Sequence, residues 1–212
     1  MHQVRTQADI QLPNELLSVI VSELASDTEN NFTTQAALAS CRLASHVLCS
    51  LATPHLFSSI ELRERPKAWM STDDESLVAF TKQATKLSQL LSTNPDVAAS
   101  VRIFTLRYDS KSLENARVGT LISTILHRLP HLRNFTLGPI EEWEFSSKLL
   151  ISSNLLPAIH ATCKLSIFTT LDLSDIESFP ITAITASPNL RYLCLSRVTL
   201  CVNSIFSLVP SN

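Results

Sequence analysis

Cys41, His46 and Cys49 are the first residues along the chain whose types and spacing could do chemistry, because thiolates and imidazoles are the usual ligands of zinc. Offsets of five and eight residues point the three side chains around different sides of a helix, so packing is expected there and no metal. A second pair, His160 and Cys163, has the makings of a thiol–imidazole couple. The sequence around it offers no third orienting group and no oxyanion feature, so catalysis is not expected. His127 and His131 share helical spacing, but Pro130 between them argues against a continuous helix. The run Glu141, Glu142, Trp143, Glu144, Phe145 reads as a solvated turn with one buried aromatic, or as an acidic-aromatic contact on a loop. Phosphate-cradling loops need clustered glycines, and the two glycines here, Gly119 and Gly138, are isolated. No enzyme, cofactor or metal site is therefore expected.

Those exclusions agree with the composition. A chain of 212 residues with 45% apolar and 17% charged residues and a net charge of −2 can build one medium core or two small ones. Lysines and arginines are scattered singly, which leaves no basic stripe for a nucleic-acid backbone. No stretch approaches eighteen uninterrupted apolar residues, and the first dozen lack the apolar centre of a secretory signal, so no membrane is expected and the cytoplasm or nucleus is the expected location. Five cysteines, odd in number and irregularly spaced, suit free thiols in a reducing compartment.

The elements that would position any site come in two textures. Residues 13–24 open with Pro13 and Glu15, both suited to a first helical turn, and Leu16, Leu17, Ile20 and Leu24 recur at helical spacing. Val19 and Val21 carry apolar surface beyond that stripe, so the helix is greasier than one buried face requires. A second helix is expected through Ala36, Leu38 and Cys41, with Thr33 or Thr34 as cap. A third is expected through Leu43, Val47 and Leu51 to a stop at Pro54, with Leu56, Phe57, Ile60 and Leu62 as a packed tail. After the polar stretch 63–76, another helix runs through Leu77, Phe80, Ala84, Leu87 and Leu91 to Asn94-Pro95.

From residue 101 the pattern becomes apolar-x-x-Leu-x-Leu in VRIFTL, LRNFTL, IFTTLDLS and LRYLCL. The closing leucines, Leu106, Leu137, Leu173 and Leu195, lie 31, 36 and 22 residues apart. Apolar helical stretches at 121–129, 149–159 and 181–186 separate them. Strands alternating with helices, stacked in order, bury one row of leucines and leave an exposed parallel-sheet face.

The segment LPNELLSVIVSEL, followed by TQAALASCRLASHVLCSLATPHLFSSIEL, resembles an F-box. Leu12, Pro13, Glu15 and Leu16 match the Leu-Pro-x-Glu-Leu opening, and Leu38, Cys41, Leu43, Leu51, Pro54, Leu56 and Phe57 match the later half. Pro95, Val101, Arg102 and Leu106 are similar to the junction that leads into irregular leucine-rich repeats in fungal F-box proteins. The resemblance implies an α/β chain: a three-helix F-box at 9–62, a linker and connecting helix at 63–100, and a short irregular leucine-rich-repeat solenoid with a small parallel sheet at 101–212, whose completeness the four segments leave open. It further implies a non-enzymatic substrate receptor of a Skp-cullin-F-box ubiquitin ligase. Leu12, Pro13, Glu15, Leu16, Ile20, Leu38, Cys41 and Leu43 would contact the Skp adaptor, through it a cullin, while the repeats hold a protein substrate. The alternative is a leucine-rich interaction or structural protein with no link to a ligase.

Overall fold

The computed structural model describes residues 12–26, 31–64, 73–108, 115–140, 149–151 and 153–202. The chain divides into two compact units, Met1–Phe57 and Ser58–Asn212.

The first unit holds α1 (Asn14–Ser26), α2 (Asn31–Ala44) and α3 (His46–Leu56). The carbonyl of Pro13 accepts from the amides of both Leu16 and Leu17, at 3.1 Å each, which closes the first turn of α1. Thr33 and Thr34 lie inside α2 rather than capping it. Ser45 caps α3, its hydroxyl accepting from Leu48 N at 3.1 Å. Pro54 does not stop α3, which continues to Leu56. It falls in the last turn, where its missing N–H costs a single bond, to the carbonyl of solvent-exposed Ser50. Val21, Leu38 and Ala52, one from each helix, form the centre of the core, with Leu24, Ala25, Cys41, Leu48, Leu51 and Leu56 packed around them. The guanidinium of Arg42 lies 5.2 Å from the centre of the Phe57 ring and ties the end of α2 to the end of α3.

The second unit is an α/β body. Its strands are β1 (Ser59–Arg63), β2 (Ile103–Tyr108), β3 (Asn134–Pro139), β5 (Thr170–Ser174) and β8 (Tyr192–Ser196), and they form one parallel sheet in that order. Two small pairs accompany it: β4 (Leu149–Leu150) with β6 (Ile176–Glu177), and β7 (Phe179–Pro180) with β9 (Leu200–Cys201). Parallel neighbours require a crossover each time. The crossovers are α4 (Asp73–Thr93) with α5 (Pro95–Ser100), then α6 (Ala116–His127), α7 (Leu155–Cys163) and the single turn α8 (Ile181–Thr185). Each helix packs on the next: α4 on α6, α6 on α7, α7 on α8.

Register explains where the core sits. Ile60, Phe104, Phe135, Leu171 and Leu193 are partners across the sheet, and so are Leu62, Leu106, Leu137, Leu173 and Leu195. Side chains alternate between faces along a strand, so both rows share one side. Phe104, Leu106, Phe135, Leu137, Leu171 and Leu173 are fully buried, and the rings of Phe104 and Phe135 stack with centroids 6.0 Å apart. The helices of the same unit contribute buried Phe80, Ile122, Ile125, Leu155, Ile159 and Ala183.

The approach to each strand is fixed by one repeated arrangement. The carbonyls of Ser58, Arg102, Arg133 and Thr169 each accept two backbone amides from the neighbouring strand's approach, those of 102 and 103, 133 and 134, 169 and 170, and 191 and 192, all at 2.8–3.0 Å. Two backbone groups that would otherwise be orphans at the start of each strand are thereby satisfied.

The tail expected at Ile60 and Leu62 is thus the first strand of the sheet, and the expected linker and connecting helix at 63–100 contain the first crossover of the second unit. The alternation Ser-Ile-Glu-Leu-Arg in 59–63 has the two-residue period of a strand, and its pairing with β2 decides the matter. Phe135→Ala removes a fully buried ring from the middle of this sheet; it should cost about 3–5 kcal/mol in urea unfolding followed by circular dichroism.

Candidate functional site

Two surfaces could do work, one in each unit. In the first, α1 is apolar on both sides. Val21, Leu24 and Ala25 face the core and Leu17 is half-buried, while Leu12, Leu16, Val19 and Ile20 stay exposed, at 50%, 50%, 57% and 54%. Leu43 at the end of α2 is 88% exposed, and Val47 in the first turn of α3 is also open. Single exposed aliphatics are ordinary, but Leu16, Val19 and Ile20 on α1, together with Leu12 just ahead of it, form a ledge.

Of the residues expected at an adaptor contact, Leu12, Pro13, Glu15, Leu16, Ile20 and Leu43 are exposed. Leu38 and Cys41 are placed differently. Leu38 is 3% exposed at the centre of the helical core, and Cys41 is half-buried against it. Thr34, Leu38 and Cys41 follow one another at four and three residues, the spacing of the inner stripe of α2. Leu38 therefore helps hold the helices together, and Cys41 is shared between that core and the surface. Val19 and Val47 belong to the exposed set and were not expected there. The signal for Val19 was available, since it lies three residues from Leu16 and next to Ile20.

In the second unit, the side of the sheet opposite the apolar rows is exposed at its two edges and partly exposed in the middle, apart from Gly138, which is buried. It carries Ser59, Glu61 and Arg63 on β1, Ile103, Thr105 and Arg107 on β2, and Asn134, Thr136 and Gly138 on β3. Thr170, Asp172 and Ser174 follow on β5, then Tyr192, Cys194 and Ser196 on β8. Polar side chains dominate, as expected of a surface in contact with water. Gly138 leaves a notch: a β-carbon there would lie 3.0 Å from Arg107 Nη1 and 3.3 Å from Ser174 Cβ. At the end of the sheet, Arg197 Nη2 meets Asp175 Oδ2 at 2.8 Å, and the Tyr108 hydroxyl donates to Ser174 O at 3.4 Å. Burial, and then the nearby Asp175 carboxylate, push the Tyr108 phenol well above its ordinary value.

The candidate chemistry does not assemble. His160 and Cys163 share α7, where burial pushes the Cys163 thiol up to about 12. Burial, and then Lys164, lower the His160 imidazole. Both shifts favour the neutral forms, the opposite of a thiolate–imidazolium couple. Among the described residues no group of three histidines, cysteines or carboxylates is placed to hold a metal ion. His127 ends α6, its Nδ1 2.7 Å from Ser123 O, and His131 lies in the turn that follows. The Glu141–Phe145 run lies outside the described residues. No described helix is long and apolar enough to cross a membrane.

Compared with protein-family models, curated proteins and solved structures, the chain matches none.

The open sheet face makes one thiol a reporter. Cys194 is exposed beside Asp172, and the Asp172 charge, then a hydrogen bond to it, raise the thiol above its usual value. A carboxylate disfavours the neighbouring thiolate, so Asp172→Asn should speed iodoacetamide alkylation of Cys194 at pH 8. Cys163 should remain unlabelled until the protein unfolds, with peptide mass spectrometry reading both sites.

Proposed function

We propose that the chain is an F-box protein, a substrate-receptor subunit of a Skp-cullin-F-box ubiquitin ligase. In this reading α1–α3 dock on the Skp adaptor, and the ordered strand–helix units behind them are a short leucine-rich array that holds a target protein. The observation that carries the reading is the exposed apolar ledge of Leu12, Leu16, Val19 and Ile20, which remains after the helical unit has filled its own core with Val21, Leu38 and Ala52. An apolar ledge left over from a complete core is surface for another polypeptide. Full burial of an aliphatic side chain contributes roughly 1.5–3 kcal/mol, so covering four that are half-exposed leaves on the order of 3–6 kcal/mol before the costs of association. Leu43, more exposed than any of them, would add to the same contact.

The mechanism of such a receptor is proximity. Holding a target lysine near a charged ubiquitin-conjugating enzyme raises its effective concentration, and no side chain of the receptor need transfer a proton or form a bond.

The reading is tested by Leu16→Asp and Leu43→Asp. Each should abolish co-purification of the Skp adaptor while shifting the melting temperature by no more than a few degrees, because neither side chain is in the core. Val21→Asp should unfold the helical unit and serves as the contrast. Wild-type chain that recovers no adaptor, under conditions where another F-box protein does, would overturn the assignment and leave a leucine-rich interaction protein without a ligase.

A further inference from the structure

On the open face of the sheet, β1 and β2 carry three chemically distinct bands in sequence along the strand direction. The first is Ile103, 36% exposed beside Ser59; the second is Glu61 beside the Thr105 hydroxyl; the third is Arg63 beside Arg107. Two residues of strand separate one band from the next, a step of about 6.6 Å.

In the third band Arg63 and Arg107 are register partners, so two cations start from adjacent points of one face, and the Arg107 guanidinium reaches over Gly138 of β3. Among the described residues neither arginine, nor Glu61, has an ion-pair partner. The strand on the far side of β2 places Gly138 opposite Arg107, and glycine in the interior of a strand costs stability. What that glycine provides is room, since the Arg107 guanidinium lies within 3.0 Å of where its β-carbon would be. An unpaired, partly exposed cation therefore lies over a buried glycine, next to a second unpaired and exposed cation, a pattern expected where a partner supplies the missing compensation.

We propose that this face seats an amphipathic α-helix of a partner protein, presenting an apolar residue, a cation and a carboxylate at positions i, i+4 and i+8. The apolar residue covers Ile103, the cation meets Glu61, and the carboxylate is held between Arg63 and Arg107. Four residues of helix rise about 6 Å, close to the step between the bands. An extended segment has a similar spacing, but laid over side chains it would leave its backbone amides and carbonyls without partners, whereas a helix satisfies its own. The inference deepens the reading of the sheet as the surface that holds the target. It can fail separately from that reading, since the assay below contains no adaptor.

The test uses the full chain at low salt with two fluorescein-labelled helical alanine–glutamine peptides of identical composition. One carries Leu, Lys and Glu at i, i+4 and i+8, and the other has Lys and Glu exchanged. Fluorescence anisotropy should show the matched peptide binding at least about tenfold more tightly, a difference of about 1.4 kcal/mol. The reversed chain, Glu61→Lys with Arg63→Glu and Arg107→Glu, should prefer the exchanged peptide. Should the triple variant not fold by circular dichroism, Glu61→Gln alone should weaken the matched peptide several-fold and leave the exchanged one unweakened. Equal affinities, no binding of either peptide, an unchanged preference in the folded reversed chain, or equal binding of a proline-substituted extended version would each overturn the proposal.

Discussion

Parallel strands placed side by side in chain order cannot be joined by tight turns, and that constraint governs most of the second unit. Every return from the end of one strand to the start of the next must cross the body of the protein, and here α4 with α5, α6, α7 and α8 make the crossings. Helices used in this way have to be apolar toward the sheet, which accounts for the density of Ile, Leu and Phe between strands. The sheet must be apolar toward the helices, which accounts for the two rows beginning at Ile60 and Leu62. The opposite face is left free of this obligation. It can carry arginines, carboxylates and a glycine whose placement answers to something other than folding.

The first unit meets a different limit. Three short helices bury one hydrophobic residue each at the centre of the unit, and the apolar surface of α1 at Leu16, Val19 and Ile20 stays exposed. The helix therefore carries a buried side centred on Val21 and an exposed side of Leu16, Val19 and Ile20, with Leu12 exposed just ahead of it. Val21, Leu24 and Ala25 hold that helix to its neighbours, while the ends of the three helices are fixed by the doubly used Pro13 carbonyl, the Ser45 cap and the Arg42–Phe57 contact.

Much of this was legible from residue spacing, and the parts that were not share a cause. The helices of the first unit and the four leucine-rich strands at 103–108, 134–139, 170–174 and 192–196 announce themselves by local period. β1 does not, because five residues of alternation next to a helix are indistinguishable from an ordered tail until β2 is beside them. The α1 stripe of Leu16, Leu17, Ile20 and Leu24 was drawn through residues that face opposite ways. With apolar side chains on most of the circumference, period alone does not say which stripe is inside. For the same reason Leu38 and Cys41 could be assigned by their match to a family pattern, yet their placement in the core follows only from how α2 meets its neighbours. The short pairs β4–β6 and β7–β9 have no sequence signature of their own, being two residues long.

The scarcity of glycine has its own effect on how stability is distributed. Neither glycine adopts a left-handed backbone, and that conformation falls instead to Asp175, Ser178 and Arg197, with φ of 59°, 57° and 55°. Each residue costs roughly 1 kcal/mol or more relative to a glycine in the same place, and all three lie between β5 and β9. The far side of this region is β8, whose Leu193 occupies a core row yet is 44% exposed. Amide protons of β8 are therefore expected to exchange with solvent earliest in the five-stranded sheet and those of β2 and β3 latest, so that the sheet loosens progressively from one margin while its middle strands persist.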